Sequence, residues 1–186
     1  MKSIQIGMLG FGTVGSGTYR ILTDNASKIS GQAGADLKVK SILVRDPARK
    51  RGSDIDGPLL TTDPSVILDD PDIDIVVEVM GGIEPARSFI LKAMEAGKSV
   101  VTANKDLISD HGPELCGTAM RNSVDLLFEA SVAGGLPIIR PLQHCLAANR
   151  VHEIMGIING TTNYILTGMS SGDLDFDFML REAGKK

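Results

Sequence analysis

Residues 4–22 read IQIGMLGFGTVGSGTYRIL, an apolar run that breaks into glycines and then resumes with helical spacing. Gly10, Gly12 and Gly15 form the pattern GxGxxG directly after the run, at the mouth of the helix that follows. Each position has its own physical reason. The first glycine lets a strand turn tightly into a helix, the second removes a side chain so that backbone N–H groups approach a phosphate, and the third lets helix and strand pack closely. The helix N-terminus adds unpaired N–H donors and a partial positive charge, worth about 0.3–1 kcal/mol toward an anion. Strand, turn and helix agree with one another, so the stretch predicts a dinucleotide site in a first βαβ unit. Gly17 is read as a packing or helix-start residue.

Further strand-length apolar runs follow at 37–44, 73–80, 99–103 and 125–131, and stretches with helical spacing lie between them, among them 85–98 and 111–123. Strands apolar on both faces that alternate with helices imply the α/β class, a doubly wound parallel sheet covered on both sides. Composition changes near residue 130, where ASVAGGLP makes a small-residue loop. An amphipathic run (138–149), a strand candidate EIMGIIN (153–159) and a helix candidate TTNYILTGM (161–169) come after it. The expected division is therefore a nucleotide-binding domain over 1–130 and the beginning of a second α/β unit over 131–186.

Composition narrows the function classes. The 186 residues are 42% apolar, enough for a real core, and carry a net charge of −4 from 19 basic and 23 acidic residues mixed along the chain. Nucleic-acid binding would need a clustered basic surface, so small molecules are the expected partners. No apolar run reaches the roughly 18 residues of a membrane span, and no signal-peptide core opens the chain. Cys116 and Cys145 lie far apart on helical stretches without CxxC spacing, which predicts packing residues in a reducing cytoplasm. They offer no activated thiol of the kind an aldehyde-oxidising enzyme needs. His111, His144 and His152 are scattered, without metal-ligand spacing.

Three stretches past strand ends are candidates for coenzyme or substrate contacts, because open α/β sheets bind ligands there. The second strand runs into LVRDPARKR (43–51). Asp46 directed at ribose hydroxyls would favour NAD, and Arg45 paired with an extra phosphate would favour NADP. Asp46 followed by Pro47 also reads as an N-cap opening a short helix, the preferred reading. Arg45, Arg49, Lys50 and Arg51 then form a basic cluster that leans toward NADP. The pair Gly81–Gly82 ends the 73–80 strand and allows close backbone approach to a nicotinamide. Thr102, Asn104 and Lys105 follow the next strand, and a lysine there could orient a carboxylate or carbonyl, or shift its pKa on burial.

The segments GFGTVGSG, VEVMGGIEPA, VTANK, EASVAGGLPII and GIINGTTNYILTGM stand in the order and register of homoserine dehydrogenase, which the chain resembles over essentially its whole length. The resemblance implies a Rossmann-type domain feeding a mixed-sheet catalytic and dimerisation domain, and NADPH- or NADH-dependent reduction of L-aspartate 4-semialdehyde to L-homoserine. It implies pyrophosphate contacts from Gly10, Phe11, Gly12, Thr13, Val14 and Gly15, and coenzyme contacts from Arg45, Gly81, Thr102, Ala103 and Lys105, with Lys105 also catalytic. Gly160 and Thr161 match the homoserine pocket. Glu129, Val132, Gly134 and Leu136 match a sodium or potassium site built largely of carbonyls, a donor type suited to a hard cation. A homodimer is expected. The family's proton-donor lysine, with a glutamate and an aspartate near it, would follow Lys186, so the substrate site is expected to be incomplete. The rival reading is a non-catalytic, redox-sensing dinucleotide module.

Overall fold

The computed structural model describes residues 2–49, 55, 59–157, 159–172 and 174–185. The chain divides between Gly134 and Gly135 into two compact units.

The first unit holds the sheet. Its elements run β1 (Lys2–Leu9), α1 (Thr13–Asp24), α2 (Ala26–Ala33), β2 (Ala35–Leu43), β3 (Leu60–Thr61), α3 (Ser65–Leu68), β4 (Ile75–Glu78), α4 (Ala86–Glu95), β5 (Ser99–Thr102), α5 (Lys105–Asn122) and β6 (Leu126–Leu127). The six strands stand in the order β3-β2-β1-β4-β5-β6 and every neighbouring pair is parallel. Strand order reverses between β1 and β4, and doubly wound sheets open a ligand crevice beyond the carboxyl ends at that point.

Alternation along each strand explains the continuous apolar runs. Ile6 and Met8 of β1, with Val77 of β4, face one cluster with Ile42 of β2, and Tyr19 and Leu22 of α1 pack against it. Leu9, Val76 and Val100 face the opposite cluster, closed by Ile90 and Met94 of α4 and by Leu107 and Leu115 of α5. Successive side chains point to opposite faces, and both faces here are covered. The expected α/β fold is thus the observed one. Each fully buried leucine, isoleucine or methionine stabilises it by about 1.5–3 kcal/mol relative to exposure.

Several boundaries differ from the periodic reading. The long connection from Gly15 to Arg45 contains a second helix, α2, closed by Gly34 in the left-handed conformation (φ 68°). The 125–131 run makes only two strand residues before a 3-10 turn at Glu129–Ser131. Helix α5 starts six residues earlier than 111, because Asn104 caps it: its Oδ1 accepts the Leu107 N–H at 3.2 Å. That cap satisfies one of the orphan donors of the first turn.

The second unit, described by itself, contains a wide π-type turn at Pro141–Cys145 and the helices α6 (Gly160–Gly172) and α7 (Phe176–Ala183). Met179 of α7 is buried against Gly168 of α6, where a side chain would collide with its sulfur. Asp175 caps α7 by accepting the Phe178 N–H at 2.7 Å. The strand expected over 153–159 is not formed among its described residues. An apolar run becomes a strand only when a neighbour takes its backbone hydrogen bonds, and Ile154, Met155 and Ile157 are exposed. Cys145, expected to pack in a core, is also exposed, whereas Cys116 is half-buried. Among the described residues no helix is long and apolar enough to cross a membrane.

Candidate coenzyme site

At the switch point the three motif glycines meet three different surroundings. Gly10 has φ +103°, and a Cβ on it would stand 2.8 Å from the Val79 carbonyl oxygen at the end of β4. A Cβ on Gly15 would stand 2.6 Å from the Gly10 carbonyl oxygen and 3.2 Å from Val79 Cγ2. Gly12 is the N-cap of α1 and would meet nothing within 4 Å. Two glycines are therefore demanded by packing, and the third leaves open space over the helix N-terminus. No side chain caps that terminus and no acidic residue occupies its first turn. Its first-turn N–H groups have no partner within the helix, so the loop fits an anionic diphosphate.

A cleft of about 790 Å³ opens there, lined by Gly10 to Thr13, Ser16, Arg45, Asp46, Arg49, Val79, Met80 and Phe89 among others. This volume falls within the range of small-molecule and cofactor sites. Phe11 is 7% exposed, with its ring edge-on to Tyr19 at 5.8 Å, so its side chain belongs mainly to the core beneath the loop. Thr13 and Val14 are exposed on the first turn. On the β2 side, Asp46 differs from expectation. Its Oδ1 accepts the Ala48 N–H at 2.9 Å in a local turn, and residues 47–49 form no helix. A cap bond can have the same reach, so it is the lack of a helical turn at 47–49 that makes this an Asx turn. Lys50 and Arg51 lie outside the described residues.

Across the crevice, a buried hydrogen-bonded network joins β4 to β5. Glu78, the last residue of β4, is fully buried. Its Oε1 accepts the Met80 N–H at 2.8 Å and its Oε2 accepts the Thr102 hydroxyl at 2.6 Å. Thr102 Oγ1 in turn accepts the Asn104 N–H at 3.0 Å, and the Thr102 carbonyl accepts the Ser131 hydroxyl at 3.1 Å. Asn104 Nδ2 donates to the Gly82 carbonyl at 2.6 Å. Thr102 is 1% exposed with its hydroxyl donating to Glu78 and accepting from Asn104, so it does not line the cleft itself. Ala103 is half-buried, its N–H donating to the Glu78 carbonyl at 3.3 Å. Glu78 escaped the sequence reading, although one carboxylate inside the apolar run IVVEVM was the available signal.

Gly81 and Gly82 both have φ +74° and open space where a Cβ would point. Lys105 is exposed at the first position of α5, where the helix macrodipole disfavours a cation by about 0.3–1 kcal/mol. Asp106, in the same turn, offsets part of that cost.

The remaining expected residues are placed as follows. Glu129, Val132 and Gly134 belong to the first unit and Leu136 to the second. Ala133 and Gly134 both take positive φ, 54° and 62°. Gly160 and Thr161 open α6 in the second unit, where Asn159 Oδ1 accepts the Thr162 N–H at 2.9 Å. Among the described residues no group of three or more His, Cys, Asp or Glu side chains is placed to hold a metal. His111 Nδ1 is 3.5 Å from Glu114 on α5, and His144 and His152 are exposed.

Residues 10–129 match the family model of the homoserine dehydrogenase NAD binding domain, and residues 137–186 match that of homoserine dehydrogenase. The homoserine dehydrogenase of Bacillus subtilis (strain 168) is 45% identical over 183 residues, covering 98% of this chain and 42% of that protein. The chain thus spans about two fifths of the length of the curated relatives it matches. The crystal structure of a homoserine dehydrogenase from Thiobacillus denitrificans aligns over 100% of this chain and 43% of its own, with a TM-score of 0.86 and 45% identity. A hyperthermophilic archaeal homoserine dehydrogenase in complex with NADPH aligns over 100% of this chain and 61% of its own, at 28% identity and a TM-score of 0.79.

Proposed function

The chain belongs to the homoserine dehydrogenase family, and from that premise we propose that its first unit holds NADPH or NADH for the interconversion of L-aspartate 4-semialdehyde and L-homoserine. The observation that carries the reading is the contrast at the switch point: Gly10 and Gly15 are closed by backbone, while Gly12 stands open before an uncapped helix. The N–H groups of Thr13, Val14 and Gly15 hold the pyrophosphate, with Phe11 fixing the loop from below. Arg45 takes the 2′-phosphate of NADPH. Gly81 allows the chain to approach the nicotinamide closely, and Thr102 and Ala103 hold the backbone that faces it.

The coenzyme, when bound, supplies the hydride. The chain must hold the aldehyde, support its oxygen and exclude water. Lys105 brings an ammonium to the oxygen side of the substrate, for which an exposed place at a helix start suits it. Gly160 and Thr161 line the homoserine pocket. Carbonyls around Glu129, Val132, Gly134 and Leu136 bind a sodium or potassium ion. Residues 1–130 form the nucleotide domain, and 131–186 belong to a substrate-binding domain that also makes a homodimer. The two unpaired cysteines accord with a cytoplasmic setting. A sensing module without catalysis would have no use for a lysine held at an electrostatically unfavourable helix position.

Calorimetric titration of NADPH and NADH into the 186-residue chain tests the reading. Saturable one-to-one binding of at least one of them is expected. Binding of neither at millimolar concentration refutes it.

A further inference from the structure

Glu78 is a fully buried acid whose hydrogen-bond partners among the described residues are the neutral Met80 N–H, beside the cleft, and the Thr102 hydroxyl at the end of β5. Its bonds close a ring. The carboxylate takes the Met80 N–H, the chain continues through Gly81 to Gly82, the Gly82 carbonyl takes the Asn104 amide, the Asn104 N–H enters Thr102 Oγ1, and the Thr102 proton returns to Glu78. The Asn104 side chain has one consistent orientation, because its oxygen receives the Leu107 N–H while its nitrogen faces a carbonyl.

We propose that Glu78 is a positioning residue for the nicotinamide end of the coenzyme. The proposal rests on the coenzyme reading given above. The Thr102 hydroxyl donates to Glu78 Oε2 while its oxygen accepts the Asn104 N–H, so both its donor and its acceptor capacity are used inside the ring. Glu78 therefore accepts from both segments at once, from the Met80 N–H and from the Thr102 hydroxyl. Together with the Asn104 bond to the Gly82 carbonyl, this holds the left-handed Gly81–Gly82 turn against Asn104, the residue immediately before Lys105. Hydrogen bonds in a dry interior are stronger than in water, which suits a device that must keep a two-glycine turn in one conformation. The pyrophosphate loop, 10–15, packs against Val79 and Met80 through Gly10 but makes none of these bonds.

This separation supplies the test. Affinities are measured for the whole coenzyme and for its nicotinamide-free part: NADPH against 2′-phospho-ADP-ribose, or NADH against ADP-ribose. Fluorescence of the reduced ring gives a second readout. Glu78→Gln, of the same shape, should weaken the whole coenzyme about tenfold, the scale of one disordered buried hydrogen bond, and leave the nicotinamide-free part within about twofold. Thr102→Val should do the same, and Thr102→Ser should restore wild-type values. If Glu78→Gln does not fold, the two Thr102 variants decide the matter by the same comparison. Equal weakening of both ligands, or no weakening of either, overturns the proposal while leaving the coenzyme site intact. A wild-type chain that binds neither ligand overturns the coenzyme reading, and the positioning role with it.

Discussion

A methyl group on Gly15 would stand 2.6 Å from the carbonyl oxygen of Gly10, the residue that turns β1 into the loop before α1. The two glycines are locked together by backbone, whereas Gly12 between them faces open space. The three positions should therefore separate stability from binding. Gly15→Ala should lose about 1–3 kcal/mol of stability, as overpacking against an unyielding backbone does. Gly12→Ala should keep its unfolding temperature and lose coenzyme affinity at least about tenfold. Thermal melts paired with NADPH titrations check both, and a normal affinity in Gly12→Ala would detach that residue from the site.

Gly7 makes a matching prediction inside the sheet. A Cβ there would run into the Cγ2 methyl of Ile67, which is fully buried and branched at Cβ, so it has little room to turn away. Gly7→Ala should cost about 1–3 kcal/mol in urea unfolding. Gly31, inside α2 with nothing within 4 Å, is the control. Gly31→Ala should add about 0.4–1 kcal/mol.

Arg45 borders the cleft beside Asp46, whose carboxylate closes a turn onto Ala48. Arg45→Ala should weaken NADPH at least about tenfold and leave NADH nearly unchanged, since a guanidinium–phosphate contact exists only with the former. Equal effects on the two coenzymes would remove Arg45 from the choice between them.

On the function proposed above, Lys105→Ala should lower L-homoserine oxidation at least about tenfold in a protein of the relatives' full length, the loss expected for one positioned catalytic group. Coenzyme affinity should change much less. Near-normal turnover would take Lys105 out of the reaction.

Acid should loosen the contact between α4 and α5. Arg87 Nε donates to Glu114 at 2.8 Å, and this bond holds the Glu114 carboxyl below the ordinary glutamate value of 4.5. Glu84 is lowered as well, mainly by the Ser88 hydroxyl and to a smaller extent by Arg87. A carboxyl lowered in the folded state contributes stability above its unfolded pKa and loses it as pH falls through the folded one. Arg87, raised above its ordinary value, stays charged throughout that range. Melting temperature should accordingly hold from pH 7 to about 5 and decline below about 4.5, with a shallower decline in Arg87→Met. Molar salt should shrink the difference, because these groups face solvent.

What could be read from the chain and what could not follow one physical division. The glycine motif, the alternation of apolar runs with helices and the resulting parallel sheet were legible, because sterics and periodicity act within a few residues and are written locally. Asp46 reads as a helix cap because a cap and an Asx turn begin with the same Asx–Pro pair and use the same N–H, and whether a helix follows is decided beyond that pair. The start of α5 was missed because TANKDL carries no apolar period until Asn104 is known to cap it. The strand expected over 153–159 and not formed among its described residues shows the limit most directly: its apolar pattern is local, but its pairing depends on a neighbour. Tertiary structure alone joined Glu78 to Thr102, 24 residues away, by setting β4 beside β5. A buried carboxylate has meaning only through the donors that surround it, and those donors are brought together by the sheet.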